Sequence, residues 1–312
     1  MKYSIKDDIR IAEVSVKDFR VILFDGAKKS MGKNRCNAGY FGAYSEKGEW
    51  FTLPSAHLVA DYEATSKWTK KYCTERGKFK GKKFTFDASK WSYDNEFHGK
   101  AVSTLIVDGG RATITDLVSV PTCQYAVSGA PVLIGGKYYG MVKASAQGWS
   151  SGNMRATWHV FLGVKSERAD TVYVMALKTA SSNLLSTSAV ANRFKALGMR
   201  DVIKLDGGGS FYFNVGGTTL STSENRRVCS IIDMGAAEGN PYAVPTVTLS
   251  RGVKNTAAVC WLQWELRERG YKIDVDGSFG PATLAALKAY QKASGLEVDG
   301  YCGPLTRASL TK

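Results

Sequence analysis

The chain has 312 residues, 44% of them hydrophobic and 22% charged, with a formal net charge of +14. Such values fit a folded chain with room for two domains and exclude intrinsic disorder. No apolar run approaches the roughly 20 residues of a membrane helix, and Met1 to Asp8 holds no stretch of export-signal length, so no membrane span and no export signal are expected.

In chain order, strand-like runs occupy Phe19 to Phe24, Val102 to Val107, Thr171 to Leu177 and Val202 to Leu205, interspersed with glycine turns. Between the first two, Tyr62 to Lys83 is basic and aromatic, which fits a solvated insertion or a loop that grips polyanions. Ala126 to Leu133 leads into a Gly-Gly hairpin. Ser186 to Leu197 is the one convincing helix of this region, with Val190, Phe194 and Leu197 at helical spacing before Gly198. Residues 239 to 252, with Pro241 and Pro245, read as a connection between a domain at 1 to 238 and another at 253 to 312. The expected fold class is α+β, a mixed, β-rich first domain followed by a small all-α domain of three helices.

The basic excess fits either a simply soluble surface or a polyanionic partner. Zinc-finger spacing, a helix-turn-helix and aromatic-basic ribonucleoprotein motifs are all missing, so nucleic acid is not expected. Cys36, Cys73, Cys123, Cys229, Cys260 and Cys302 form no Cys-x-x-Cys pair, and His57, His98 and His159 stand alone. Free thiols, no metal and no cofactor are therefore expected, with the pairing of Cys260 and Cys302 left open.

Chemistry concentrates in Leu205-Asp206-Gly207-Gly208-Gly209-Ser210, between two strand-like runs. Glycines let a substrate approach the backbone and leave N–H groups free for an anionic or sugar oxygen, while Asp206 can serve as nucleophile, base or hydroxyl acceptor. A hairpin bend would use the same residues.

Other segments accompany this loop: Asn37-Ala38-Gly39-Tyr40-Phe41, Ser128-Gly129 after Val127, Arg155 within Asn153 to Thr157, and Arg226-Arg227-Val228. In this order they resemble the phosphodiester glycosidase family over most of residues 10 to 235. The resemblance implies hydrolysis of a sugar-1-phosphodiester. Catalytic roles then fall to Asp206, Arg155 and Arg226, and substrate contacts to Asn37, Gly39, Ser128, Gly129, Gly207, Gly208, Gly209 and Ser210. Ala38 and Tyr40 depart from the family's usual Asn-Gly-Gly-Phe-Phe, Arg227 stands where proline is common, and the basic insertion has no counterpart.

Near the C-terminus, Asp276-Gly277-Ser278-Phe279-Gly280-Pro281-Ala282-Thr283 recurs as Asp299-Gly300-Tyr301-Cys302-Gly303-Pro304-Leu305-Thr306. Each Asp-Gly predicts a tight turn, and each Gly-Pro predicts a helix start, because proline is tolerated where the N–H has no intrahelical partner. With Leu262-Gln263, Leu266 and Tyr290-Gln291, this three-helix pattern resembles the peptidoglycan-binding domain of bacterial and phage cell-wall hydrolases. Together the two resemblances imply an endolysin-like wall hydrolase of phage or prophage origin, reaching peptidoglycan and anionic wall polymers such as teichoic acid through a holin. A muramidase- or glucosaminidase-type enzyme is the alternative, with Glu224 or Asp233 as the second carboxylate; a non-catalytic wall-binding protein is another.

Overall fold

The computed structural model describes residues 1–39, 41–46, 49–54, 56–64, 97, 99–150, 156–179, 188–215, 218–235, 240, 242–253 and 256–311. Three antiparallel sheets build the N-terminal part. The first runs in the order β1 (Lys2–Lys6), β2 (Ile9–Ser15), β14 (Thr171–Lys178), β13 (Trp158–Val164), β15 (Asp201–Gly207) and β12 (Ala130–Leu133). The second is β10 (Arg111–Leu117), β9 (Val102–Asp108), β11 (Tyr125–Ser128), β7 (Leu58–Ala60) and β8 (Glu63–Ala64). The third is β17 (Thr218–Ser221), β16 (Tyr212–Val215), β4 (Arg35–Asn37), β18 (Arg227–Asp233) and β3 (Arg20–Ala27); β5 (Phe41–Glu46) and β6 (Glu49–Pro54) pair separately.

Period-two alternation puts the first sheet between two cores. Along β13, Val160, Leu162 and Val164 pack with Phe213 and Ile232 of the third sheet. Phe161 points the other way, into a cluster with Met175, Val202 and Phe194. Phe194 comes from helix α2 (Ala189–Ala196), and its ring lies 4.9 Å from that of Phe161. A central strand covered on both faces reads as an uninterrupted apolar run, as β13 does. The helix expected at Ser186 to Leu197 is α2, and it ends at Gly198 with φ +77°. A second helix, α1 (Gly140–Ala146), corrects the expectation of only one in this region. It escaped notice because it is seven residues long, opens on a positive-φ glycine and buries only Gly140 and Ala144.

The C-terminal part holds α3 (Ala257–Glu268), α4 (Pro281–Ala293) and α5 (Pro304–Leu310), so the protein is a mixed α+β chain. Thr256 caps α3 by accepting from Val259 N–H at 3.1 Å, and proline opens both later helices. Buried glutamines organise the repeated turns. Gln263 Oε1 accepts from the N–H groups of Asp276 and Gly277 at 3.0 and 2.9 Å, and its Nε2 donates to Asp276 Oδ1, Ser278 O and Thr283 Oγ1 at 2.8, 3.0 and 3.0 Å. Gln291 repeats the arrangement, accepting from Gly300 N–H at 3.0 Å and donating to Asp299 Oδ1, Tyr301 O and Thr306 Oγ1 at 2.7, 3.0 and 3.3 Å. Asp, Gly and Thr recur at fixed spacing because each supplies one partner of that amide.

Residues 242–253 are held by packing. Tyr242 is buried with its ring 4.9 Å from that of Tyr3 in edge-to-face geometry, and Leu249 forms a backbone bridge with Cys302. One apolar cluster runs from Tyr3 and Phe213 through Tyr242 into Trp261 and Leu287. Cys36, Cys123, Cys229, Cys260 and Cys302 are buried, and no disulfide joins Cys260 to Cys302 in the structure.

Candidate functional site

Strand β15 carries Asp206 to its position through a bulge. β13 pairs Phe161 with Lys204 and His159 with Gly207, so β15 spends one more residue than its partner across the same interval. Such an extra residue breaks the alternation and re-aims the side chains beside it. Asp206 is half-buried, and its Oδ1 accepts from Gly207 N–H at 2.8 Å. Burial raises the carboxyl pKa, opposed by the Ser210 hydroxyl, the Lys204 charge, Gly207 N–H and the Arg226 charge.

The glycine loop is shaped by close neighbours on every side. A Cβ on Gly207 would stand 2.6 Å from both Trp158 O and His159 Nδ1. Gly208 sits at φ +56°, in the left-handed region that favours glycine. At Gly209 a Cβ would collide with Glu224 Oε2 and lie 2.8 Å from Arg226 Nη2. Glu224 and Arg226 form an ion pair at 3.1 Å across this face, and both are more than half exposed. Phe211 anchors the far end, stacked on Trp158 with ring centroids 5.2 Å apart.

Two buried lysines support the loop, and sequence reasoning missed both. Lys28 is fully buried, and its Nζ donates to Gly209 O at 2.7 Å and Thr222 Oγ1 at 2.6 Å. Thr222 Oγ1 in turn donates to Gly208 O at 2.8 Å, so consecutive loop carbonyls are fixed by one relay. Burial lowers the Lys28 pKa to about 8, countered by the nearby Glu224 charge. Lys204 is 1% exposed, donates from Nζ to Leu205 O at 2.9 Å, and is lowered to about 7 by burial against the raising effect of Asp206. The available signal was a lysine inside an apolar strand run, Val202-Ile203-Lys204-Leu205, which a surface strand would not need.

The remaining sequence candidates divide by position. Asn37 is 1% exposed and joins β4 to the loop: its Nδ2 donates to Asp206 O at 2.8 Å and its Oδ1 accepts from Tyr212 N–H at 2.9 Å. Ser128 is buried, with its hydroxyl 2.8 Å from that of Thr104. At Gly129 a Cβ would lie 2.5 Å from Lys204 O, so glycine there lets β15 come close. Gly39 packs toward Val127, Leu58 and Ser230. Of these four, Asn37 bonds the loop directly and Gly129 admits the strand that leads into it, whereas Ser128 and Gly39 meet other strands. Asp233 is engaged by Arg35 at 2.8 Å and by Gly235 N–H at 2.9 Å. Arg155 and the basic residues from Lys67 to Lys83 lie outside the described residues. Among the described residues no three metal-ligating side chains are gathered, and no helix is long and apolar enough to cross a membrane.

Residues 255–310 match the peptidoglycan binding domain family, and the chain carries a domain of that family at its C-terminal end. The zinc D-Ala-D-Ala carboxypeptidase of Streptomyces albus G is 39% identical over 79 residues, covering 24% of this chain and 29% of that protein. The crystal structure of the SleB N-terminal domain aligns with 37% identity over 22% of this chain and 94% of its own, with a TM-score of 0.21. The zebrafish N-acetylglucosamine-1-phosphodiester alpha-N-acetylglucosaminidase catalytic domain, auto-inhibited by its pro-peptide, aligns over 76% of this chain and 82% of its own at 13% identity, with a TM-score of 0.48. The chain spans less than a third of the length of the curated relatives it matches.

Proposed function

We infer that the protein is a cell-wall-directed hydrolase that cleaves a sugar-1-phosphodiester in a wall glycopolymer, held to its substrate by the C-terminal domain. The observation that carries this reading is the half-buried Asp206 carboxyl with a raised pKa, beside a glycine loop that the exposed Arg226 overhangs. An ordinary glycoside needs two carboxyl groups flanking the bond, because its leaving oxygen must be protonated. A departing phosphate is weakly basic already, so one carboxyl suffices on the sugar side, and the larger demand is for cations and N–H donors on the phosphate side. Asp206 takes the sugar side. Arg226 takes the phosphate, since a guanidinium meets two phosphate oxygens at once, and Arg155 is assigned to the same task from its sequence segment.

Asn37 and Gly129 position the loop in this scheme, with Gly39 and Ser128 behind them, while Gly207, Gly208 and Gly209 line the substrate and the fully buried Ser210 backs Asp206. The domain division at residues 238 and 253, the endolysin-like setting with release through a holin, and a teichoic acid substrate belong to the same proposal. A second reading has one observation in its favour: Glu224 lies against Gly209 and offers the second carboxylate that cleavage of the peptidoglycan backbone requires.

Product analysis after incubation with Gram-positive sacculi separates these readings. Phosphodiester cleavage releases polymer ending in a phosphomonoester together with a reducing hexosamine. Backbone cleavage releases reducing muropeptide sugars without phosphate. Neither product would leave a wall-binding protein without catalysis.

A further inference from the structure

A cavity of about 410 Å³ lies between the two parts of the chain, within the range of small-ligand sites. Its lining comes from both: Tyr3 and Arg10 from the first sheet, Tyr242 from the connecting stretch, and Arg267, Asp274 and Asp276 from the C-terminal part. Thr218 Oγ1 donates to Val275 O at 2.6 Å, so β17 and the segment before the first Asp-Gly turn are tied at its wall. None of these residues takes part in the site around Asp206.

The lining selects a ligand class. A sugar would call for an exposed aromatic face, yet Tyr3 and Tyr242 pack edge to face on each other and are 7% and 3% exposed. A polyanion would meet two aspartates. A molecule with one carboxylate and one ammonium, joined by a short span with small aliphatic groups, matches the guanidiniums, the aspartates and the flanking Ile5 and Ile273. Of the charged groups, Asp276 already accepts from Gln263 Nε2 and Ser278 N–H, both at 2.8 Å, and Arg267 lies over the Trp264 ring at 4.6 Å. Arg10, whose Nη1 donates to Asp8 O at 3.2 Å, and the exposed Asp274 are left as the principal pair.

We propose that this inter-domain cavity binds a short zwitterionic peptide with small side chains, its carboxylate on Arg10 and its ammonium on Asp274. The ligand is a free peptide, since one attached through its N-terminus has no ammonium for Asp274, and the site itself stands apart from Asp206. Occupancy would then be sensed by both parts of the chain at once, because each contributes one of the two charges.

Isothermal titration of the full chain with tri-alanine, its C-terminal amide, its N-acetyl form and an N-acetylglucosamine dimer tests this. Tri-alanine should bind saturably at one site, and blocking either end should weaken it about tenfold, the loss of one charged contact. Arg10→Ala should weaken tri-alanine similarly without further weakening the amide, and Asp274→Asn should do the same relative to the N-acetyl form. Thermal melting confirms that each variant is folded; Arg10→Lys, which keeps the charge, replaces Arg10→Ala if the latter melts early, and it should retain the discrimination between acid and amide. Absence of saturable binding, equal binding by the variants, or preference for the sugar dimer would overturn the proposal. Asp206→Asn should bind tri-alanine as wild type does, so failure of the hydrolase assignment and failure of this one remain distinguishable.

Discussion

Replacing Gln263 by leucine keeps roughly the side-chain volume and removes every hydrogen bond of a residue that is 1% exposed. Two backbone donors, Asp276 N–H and Gly277 N–H, lose the oxygen they share. An unsatisfied buried donor costs about 1–3 kcal/mol, so the pair costs roughly 2–6 kcal/mol before the acceptors of Nε2 are considered. A folded unit the size of the matched segment, residues 255–310, is held by only about 3–8 kcal/mol in total at ordinary stability per residue. Gln263→Leu should therefore melt the helices α3 to α5 near ambient temperature, seen as lost helical circular dichroism and a shifted Trp261 emission. Pelleting with sacculi at moderate salt should fall with it. Gln291→Leu orphans the N–H of Gly300 alone and should cost about half as much. Wild-type melting of Gln263→Leu, or a larger loss for Gln291→Leu, would refute the view that these amides hold the turns.

Three further outcomes follow from the site. Asp206→Asn should lower hydrolysis of sacculi by about 100-fold or more with unchanged melting, since positioned proton transfer contributes at least that much; near-wild-type turnover would remove Asp206 from the mechanism. Gly209→Ala should push Glu224 and Arg226 apart and reduce turnover with little effect on sacculus binding, whereas an unchanged rate would mean their packing on the loop is irrelevant. Stability should rise between pH 7 and pH 9. The folded-state values of Lys204 and Lys28, about 7 and about 8, lie below their ordinary 10.5, so the unfolded chain binds more protons across that window and loses ground as pH climbs. Above it the raised thiols and tyrosines, such as Cys123 at about 11, reverse the slope. Urea midpoints measured across the window should show a smaller rise for Lys204→Met, and a flat profile in the wild type would contradict both assignments.

How much the chain reveals by itself depends on whether a feature is local. The wall-binding part was readable because its turns repeat, and α2 because Phe194 and Leu197 precede a glycine stop. Strand β3 extends to Ala27, beyond the apolar run at Phe19 to Phe24, because pairing with β18 carries it through Asp25 and Gly26. The three residues of β4 carry no alternation of their own and become a strand only between β16 and β18. Asp206 drew notice through its glycines. Lys28 did not, because its partners, Gly209 and Thr222, are far along the chain and nothing near it in sequence hints at burial. Gln263 was visible as part of a pattern, but its role needed the three-dimensional return of two turns onto one amide.

The continuous cluster through Tyr3, Tyr242 and Trp261 bears on how such a molecule would travel over a solid substrate. An anchor on a slack tether lets the working end sweep many bonds from one landing point. On the proposed reading, packing that persisted at the surface would keep the landing point and the loop around Asp206 at a set offset, and each attachment would address a single patch of wall. Successive cuts would then require letting go and landing again, so dwell time at the surface would limit throughput, and tighter attachment would slow the protein rather than speed it.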